Sequence, residues 1–109
     1  MSKAIYWQRG DTLDYKNDTD TKIEANTIIS FGSHIGVVGT DIFPGELGSL
    51  HITGIFEIPK TDTTAIEMGT DIYFDGTGIT ATKGDSTILV GYAAQAAAAE
   101  DSIILVKLC

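Results

Sequence analysis

The stretch that decides the fold class reads Gly45-Glu46-Leu47-Gly48-Ser49-Leu50-His51-Ile52-Thr53-Gly54-Ile55-Phe56-Glu57-Ile58-Pro59-Lys60. Within it, polar or charged residues alternate with Leu50, Ile52, Phe56 and Ile58, and Pro59 ends the run. A period of two residues is typical of a β-strand with one buried face. No nucleophile, base and orienting group are gathered in this stretch. It therefore predicts a β scaffold and no catalytic chemistry.

Short apolar stretches separated by turn residues continue this pattern on both sides of the central stretch. The candidate strands are Ala4–Trp7, Thr12–Tyr15, Thr27–Phe31, His34–Val38, Leu47–Ile52, Ile55–Ile58, Asp71–Phe74, Ile79–Thr82, Thr87–Ala94 and Ser102–Leu108. Strands that recur every 8–12 residues or so predict an all-β sandwich or barrel. We expect one β domain over residues 1–109, with residues 1–10 as a candidate N-terminal arm.

The alanine-rich segment Ala93–Asp101 has the highest helix propensity in the chain, but it lacks an amphipathic stripe. We expect a strand end there, followed by a loop or one short turn.

A faint internal repeat accompanies the strands. Ile29-x-Phe31-Gly32-x-x-Ile35 has the spacing of Ile66-x-Met68-Gly69-x-x-Ile72, and the segment 35–38 resembles the segment 90–93. These matches hint at similar strand–turn–strand units that face one another across the core.

The charge of the chain is acidic and unevenly distributed. The net charge is −8; residues 1–25 carry five acids and four bases, whereas residues 26–109 carry ten acids and only Lys60, Lys83 and Lys107 as bases. Nucleic-acid phosphates and anionic lipids are bound by clustered Lys and Arg. We therefore expect neither a nucleic acid nor a membrane as a partner.

Cysteine content and the N-terminal sequence bear on the compartment. Cys109 is the only cysteine, so no intrachain disulfide forms. The first residues lack the apolar core of a signal peptide. We expect synthesis in a cytoplasm, followed by use there or assembly into something larger.

Motifs with known chemistry fail on their context. The segment 76–81 fits the loose dinucleotide pattern but leads into another turn instead of a helix. The acids of the segment 14–20 are interrupted by Lys16, where calcium would need an oxygen ligand. His34 and His51 lie on different candidate strands and lack zinc-ligand spacing. We expect no catalytic residue, cofactor or metal.

Aromatic residues crowd the start of the chain. Tyr6, Trp7 and Tyr15 lie close to Arg9 in sequence, and Trp, Tyr and Arg are common anchors of protein interfaces. Two interpretations of Trp7 remain open: it fills the core, or it contacts a partner.

Several motifs, in order and spacing, resemble one known family over nearly the whole chain. They are Gly10-Asp-x-Leu13-x-Tyr15, Ile28-x-x-x-Gly32-x-x-Ile35-Gly36-Val37, Gly45-Glu46, Gly54-Ile-Phe56-Glu57-Ile-Pro59-Lys60, Ile72-Tyr73-Phe74-Asp75, Ile88-x-Val90-Gly91-Tyr92-Ala93 and Val106-Lys107-Leu108. The family comprises the small capsid cement, or head decoration, proteins of tailed phages and prophages. Its members have sometimes been labelled RecA/RadA recombinases, but this chain has no Walker loop. Phe74 stands where the family more often has Trp.

The resemblance implies a structural role without catalysis. It implies a compact β domain, in style like the β-clip or β-tulip decoration proteins, that binds the major capsid protein on the outer surface of an expanded head. It also implies self-association, as a trimer or a dimer, at junctions between capsomers of a virion assembled in a bacterial host. For contact with capsid or partner subunit we single out Tyr6, Trp7 and Arg9, followed by Phe56, Pro59 and Lys60.

Two alternatives belong to other classes. One is a small ligand- or receptor-binding β module of a phage particle, whose pocket would need the aromatic residues Tyr73, Phe74 and Tyr92. The other is an enzyme with a β-barrel active site, which would need a perturbed carboxylate or histidine in a cleft.

Overall fold

A computed structural model describes residues 1–109 and contains strands but no helix. Nine strands follow one another along the chain: β1 (Thr12–Lys16), β2 (Ile28–Phe31), β3 (His34–Val38), β4 (Leu47–His51), β5 (Gly54–Pro59), β6 (Asp71–Phe74), β7 (Ile79–Thr80), β8 (Ile88–Ala93) and β9 (Ile103–Leu108). The all-β prediction is confirmed.

The strands form two antiparallel sheets, and neither sheet closes into a barrel. The first sheet has the order β1-β4-β3-β2, and the second has the order β5-β9-β8-β6-β7. The sequence predicts a sandwich or a barrel, and the structure therefore has the two-sheet architecture instead of the barrel.

The two sheets are copies of one supersecondary pattern, which divides the strands between a first half (residues 12–52) and a second half (residues 54–108). In the first half, β1 pairs with β4 and β2 pairs with β3, while β3 also pairs with β4. In the second half, β5, β9, β8 and β6 are paired in the same way. Strand β7 and its hairpin are an insertion in the second half.

Loop hydrogen bonds establish which residues correspond. Ile23 and Ile42 exchange two backbone hydrogen bonds of 2.9 and 2.8 Å in the first half, and Ile66 and Ala97 exchange bonds of the same lengths in the second. The residues at the following turns, Asn26 and Gly69, both have positive φ, of 72° and 87°. Asn and Gly are the residues that most readily adopt this left-handed conformation.

The correspondence confirms one of the two sequence matches and corrects the other. Ile29 pairs with Gly36 at the position where Ile72 pairs with Gly91, so segment 35–38 does correspond to segment 90–93. Ile29, however, corresponds to Ile72 and not to Ile66. The hairpin insertion in the second half prevents any single spacing from aligning both parts.

A buried polar side chain occupies the same position in each half. Asn17 is fully buried, and its Nδ2 donates to the carbonyls of Thr21 and Ile42, both at 2.8 Å. Lys60 is its counterpart, and its ammonium donates to the carbonyls of Asp62 and Ala99. Both side chains satisfy loop carbonyls that would otherwise be buried without partners, and they thereby fix the long loop that follows β1 or β5.

The apolar core is divided unequally between the halves. The first half has a cluster of 3 buried residues, Val38, Ile42 and Leu50. The main cluster has 13 buried residues; it fills the second half and includes Ile35 and Val37 of β3. Strand β3 therefore joins the first half to the main core.

The structure tests two local predictions, one for residues 93–101 and one for residues 4–7. The segment 94–101 forms turns and a single β-bridge at Ala97, as expected for a strand end followed by a loop. The predicted strand Ala4–Trp7 is wrong, because residues 1–9 have no regular structure and no neighbouring strand to pair with.

Candidate interaction surface

The ten residues before the first sheet form the most exposed apolar segment of the molecule. All ten side chains are exposed, and Ile5, Tyr6 and Trp7 retain 90%, 80% and 88% of their accessible surface. Trp7 therefore does not fill the core. Exposed apolar groups of this size mark interaction sites in soluble proteins, since burying them on a partner is favourable by roughly 25 cal/mol per Å².

The same segment differs in charge from the rest of the chain. It contains Lys3 and Arg9 and no acid, although the whole chain has a net charge of −8. The ion pairs of the structure, Lys16–Asp18 at 3.9 Å and Lys22–Asp41 at 3.6 Å, do not involve Arg9. Aromatic rings and an unpaired guanidinium thus lie side by side in an exposed, weakly basic segment.

The other three predicted contact residues lie at or beside β5 and point in different directions. Pro59 is exposed at the end of β5. Phe56 is half-buried against the main core, and its ring lies 6.3 Å from that of His51. Lys60 is buried, with its ammonium committed to loop carbonyls. The structure therefore does not join these three residues with Tyr6, Trp7 and Arg9 into one contact surface.

A second apolar surface, which the sequence analysis did not identify, covers one side of the second sheet. We define the outer face of the second sheet by Ile55, Tyr92, Ile103, Leu105 and Lys107. Ile55 is 62% exposed, Ile103 46% and Tyr92 38%, while Leu105 and Lys107 are half-buried. The signal was present in the nearly continuous apolar run of β9, which is typical of a strand covered on both faces.

The aromatic residues proposed for a ligand pocket do not converge. Phe74 belongs to the main core, whereas Tyr92 lies on the outer face of the second sheet. The structure has four surface cavities; Tyr92 lines one of them, and neither Tyr73 nor Phe74 lines any. The concave aromatic site required by the ligand-binding alternative is therefore not formed by these three residues.

Two carboxylates of the second half, Asp62 and Asp75, have a lowered pKa. Hydrogen bonds from the Thr64 hydroxyl, the amides of Ala81 and Thr64, and the Thr80 hydroxyl hold the pKa of Asp62 well below its ordinary value. A hydrogen bond from Thr61, followed by the amides of Gly78 and Thr77, lowers the pKa of Asp75. Neither group has a histidine among these partners. Both act as acceptors that fasten loops, and they do not resemble a general acid.

No group of three or more His, Cys, Asp or Glu residues is placed to hold a metal ion. No helix of sufficient length and apolarity to cross a bilayer is present.

Comparison with known proteins decides the family. A sequence model of the phage cement protein family matches residues 7–108. The chain belongs to the phage cement protein family. Searches of the curated proteins and of the solved structures return no match to this cement protein. The matched region begins at Trp7 and so includes the whole of both halves together with the last residues of the exposed segment.

Proposed function

We propose that this protein is a capsid cement that binds the major capsid protein on the outer surface of an expanded phage head and bridges neighbouring capsomers. Membership of the cement family over residues 7–108 carries this proposal. Phage cement proteins belong to the virion, and their role is structural. We propose synthesis in the cytoplasm of the bacterial host, assembly into trimers, and no catalytic activity.

We assign the capsid contact to residues 1–10 as an N-terminal arm attached to the single β domain. Tyr6 and Trp7 offer exposed aromatic surface, and Arg9 offers an unpaired guanidinium. Aromatic and Arg side chains dominate the energetics of most protein interfaces. The lack of acids in the arm suits an acidic partner surface, while the acidic remainder of the chain suits a position away from the packaged DNA.

Bridging follows from having several arms in one oligomer. When each arm binds a different capsid subunit, the second and third arms bind at a high effective concentration. A modest affinity per arm is then sufficient to hold capsomers together against internal pressure. Because the protein binds the expanded shell, it stabilises that state by mass action.

The test is co-sedimentation of the purified protein with expanded, undecorated shells of its source phage, and with unexpanded shells as the comparison. We expect saturable binding to expanded shells only, at a stoichiometry that matches the lattice junctions. The double variant Tyr6→Ala/Trp7→Ala should lose at least about tenfold in affinity, because it removes two exposed anchors.

Phe43→Ala is the matched control, since Phe43 is also an exposed aromatic residue, at 53%, but lies outside the arm. It should bind like the unaltered protein. Absence of binding to either shell would overturn the cement proposal and favour a receptor- or ligand-binding module. Equal loss of binding by both variants would overturn the assignment to the arm.

A further inference from the structure

The two halves contact each other through faces that are not equivalent. In the first sheet, the register places Thr12, His51, Val37 and Ile28 in one row across β1, β4, β3 and β2. In the second sheet, the corresponding row is Ile55, Lys107, Tyr92 and Asp71. These rows lie on corresponding faces of the two sheets, and they meet different surroundings.

The row of the first sheet is partly covered by the second half. Val37 is only 4% exposed and belongs to the main core together with Ile58. Phe56 packs against the same core, and its ring lies 6.3 Å from that of His51. Ile28 and Val37 line one cavity jointly with residues 56–59 of β5.

The first half does not cover the row of the second sheet, which carries the exposed apolar side chains Ile55 and Tyr92. Ile55 replaces Thr12, and in the neighbouring row Leu105 replaces Ser49. Val37 is buried, whereas its counterpart Tyr92 is 38% exposed. At these two positions the uncovered face thus has the apolar residues Ile55 and Leu105, whereas the covered sheet has the polar residues Thr12 and Ser49. An uncovered apolar sheet face of this kind marks an association surface.

The complementary surface is also present, and it is partly exposed at Leu13. The residues of β5 that cover the first sheet are Phe56 and Ile58, and their counterparts in β1 are Leu13 and Tyr15. Leu13 is 38% exposed and lines an open cavity of about 290 Å³ with Phe31, Ile35 and Ile52. Each chain therefore carries one uncovered sheet face and, at Leu13 of β1, an exposed counterpart of the Phe56 side chain that covers the first sheet.

We propose that the outer face of the second sheet binds the β1 side of a second copy of this chain, repeating between chains the contact that the halves make within one. The interface is heterologous, because two different surfaces meet. Each copy in turn offers its own outer face to a further copy, and in the trimer proposed above the third copy completes the ring. The proposal names the self-association surface of the oligomer proposed above, but it is tested in solution without capsids.

The chain itself supplies the substitutions for the test. In I55T/L105S, two outer-face residues become their first-half counterparts, Thr12 and Ser49, which are compatible with the same strand pairing. L13T alters the β1 side at an edge strand and keeps a β-forming residue. M68A is the matched control, because Met68 is 73% exposed, lies in the loop between β5 and β6 and belongs to neither surface, and has Ala25 as its counterpart. Circular dichroism verifies that each variant is folded.

Sedimentation velocity over a concentration series measures the oligomeric state. We expect the unaltered protein and M68A to associate, and I55T/L105S and L13T each to associate at least about tenfold more weakly. An equimolar mixture of these two variants should form dimers, because L13T retains an intact outer face and I55T/L105S retains an intact β1 side. Only a heterologous interface gives this complementation.

Three outcomes overturn the proposal. They are a monomeric unaltered protein at every concentration, I55T/L105S associating like M68A, and L13T associating like M68A. The last outcome would indicate that outer faces meet each other in an isologous contact. Shell binding by a protein that stays monomeric would leave the cement function intact while this interface fails, so the two failures are distinguishable.

Discussion

The two halves of this cement protein share a strand pattern but differ in how much they bury. The first half closes on a cluster of 3 buried residues, and the main cluster of 13 lies largely in the second half. The first half compensates by contributing Ile35 and Val37 of β3 to the main core. The same backbone pattern therefore supports two roles: the second half is the stable body, and the first half depends on its attachment to that body.

The largest expected difference in stability is between substitutions of two corresponding glycines, Gly91 and Gly36. A Cβ on Gly91 would collide with the carbonyl oxygen of Lys107 on the neighbouring strand, and its φ of 148° is rarely adopted by other residues. A Cβ on Gly36 would lie 3.1 Å from the Cβ and 3.3 Å from the Cδ1 of Leu50, a tight contact but no collision with backbone, and Gly36 has no positive φ. We expect Gly91→Ala to destabilise the fold by about 3 kcal/mol or more, and Gly36→Ala by about 1 kcal/mol.

Chemical denaturation of the two glycine variants measures the difference. Equal losses of unfolding free energy would contradict this prediction, since a Cβ collides with a backbone carbonyl at Gly91 and only makes a tight side-chain contact at Gly36.

A second pair tests the unequal cores themselves. Ile72 is fully buried in the main core, while its counterpart Ile29 is half-buried against the small cluster. Ile72→Ala removes side-chain volume that close-packed neighbours cannot refill, so we expect a loss of about 3–4 kcal/mol. Ile29→Ala should cost about 1–2 kcal/mol, because solvent already reaches that side chain.

Urea unfolding measures both losses of unfolding free energy, with far-ultraviolet circular dichroism as the signal, because that signal reports the strands. A larger loss for Ile29→Ala than for Ile72→Ala would show that the first half is the more tightly packed one.

The smallest expected effect is a dependence on pH that resides in the second half. Hydrogen bonds lower the pKa of Asp62 and Asp75, whereas their first-half counterparts are Thr19 and Gly32, which do not titrate. A depressed carboxyl pKa stabilises the folded state above the ordinary Asp value of about 3.9, and that stability is lost as the pH falls below it towards the folded-state pKa. Because both groups are largely exposed to solvent, the contribution is modest.

Thermal unfolding of the unaltered protein and of D62N, measured across acidic pH, checks this prediction. The melting temperature of the unaltered protein should fall more steeply below about pH 4 than that of D62N. Parallel curves for the two proteins would contradict the role assigned to Asp62.

Much of the fold was predictable because its signals are local. Alternation in β5 and turn pairs such as Asp75-Gly76 act within a few residues, so they placed β1 to β6 within a residue or two. The candidate strand Ala4–Trp7 failed because a strand also needs a neighbouring edge, and the chain provides none there. The sequence indicated the duplication only in part, since the insertion containing β7 changes the spacing between corresponding strands.

The candidate surfaces were predictable in part. Tyr6, Trp7 and Arg9 stood out by residue type, and the structure leaves Tyr6 and Trp7 exposed. Their contact with a capsid stays a prediction. The outer face of the second sheet was not found, because the sequence of β9 indicates two covered faces but cannot show that one cover is missing from the chain. Asp62 was missed although Thr64, which makes the largest contribution to its lowered pKa, is only two residues away; the bonds from Thr80 and Ala81 depend on the tertiary fold.

Corresponding ends of the edge strands β1 and β5 carry Lys16 and Pro59. Proline has no amide hydrogen to offer an approaching strand, and a lysine at an edge resists being paired and desolvated. Open sheet edges are otherwise templates for amyloid-like growth when a protein is produced in many copies. These two residues therefore act as gatekeepers that hinder edge-to-edge pairing, the first step of fibre growth, at these two sheet edges.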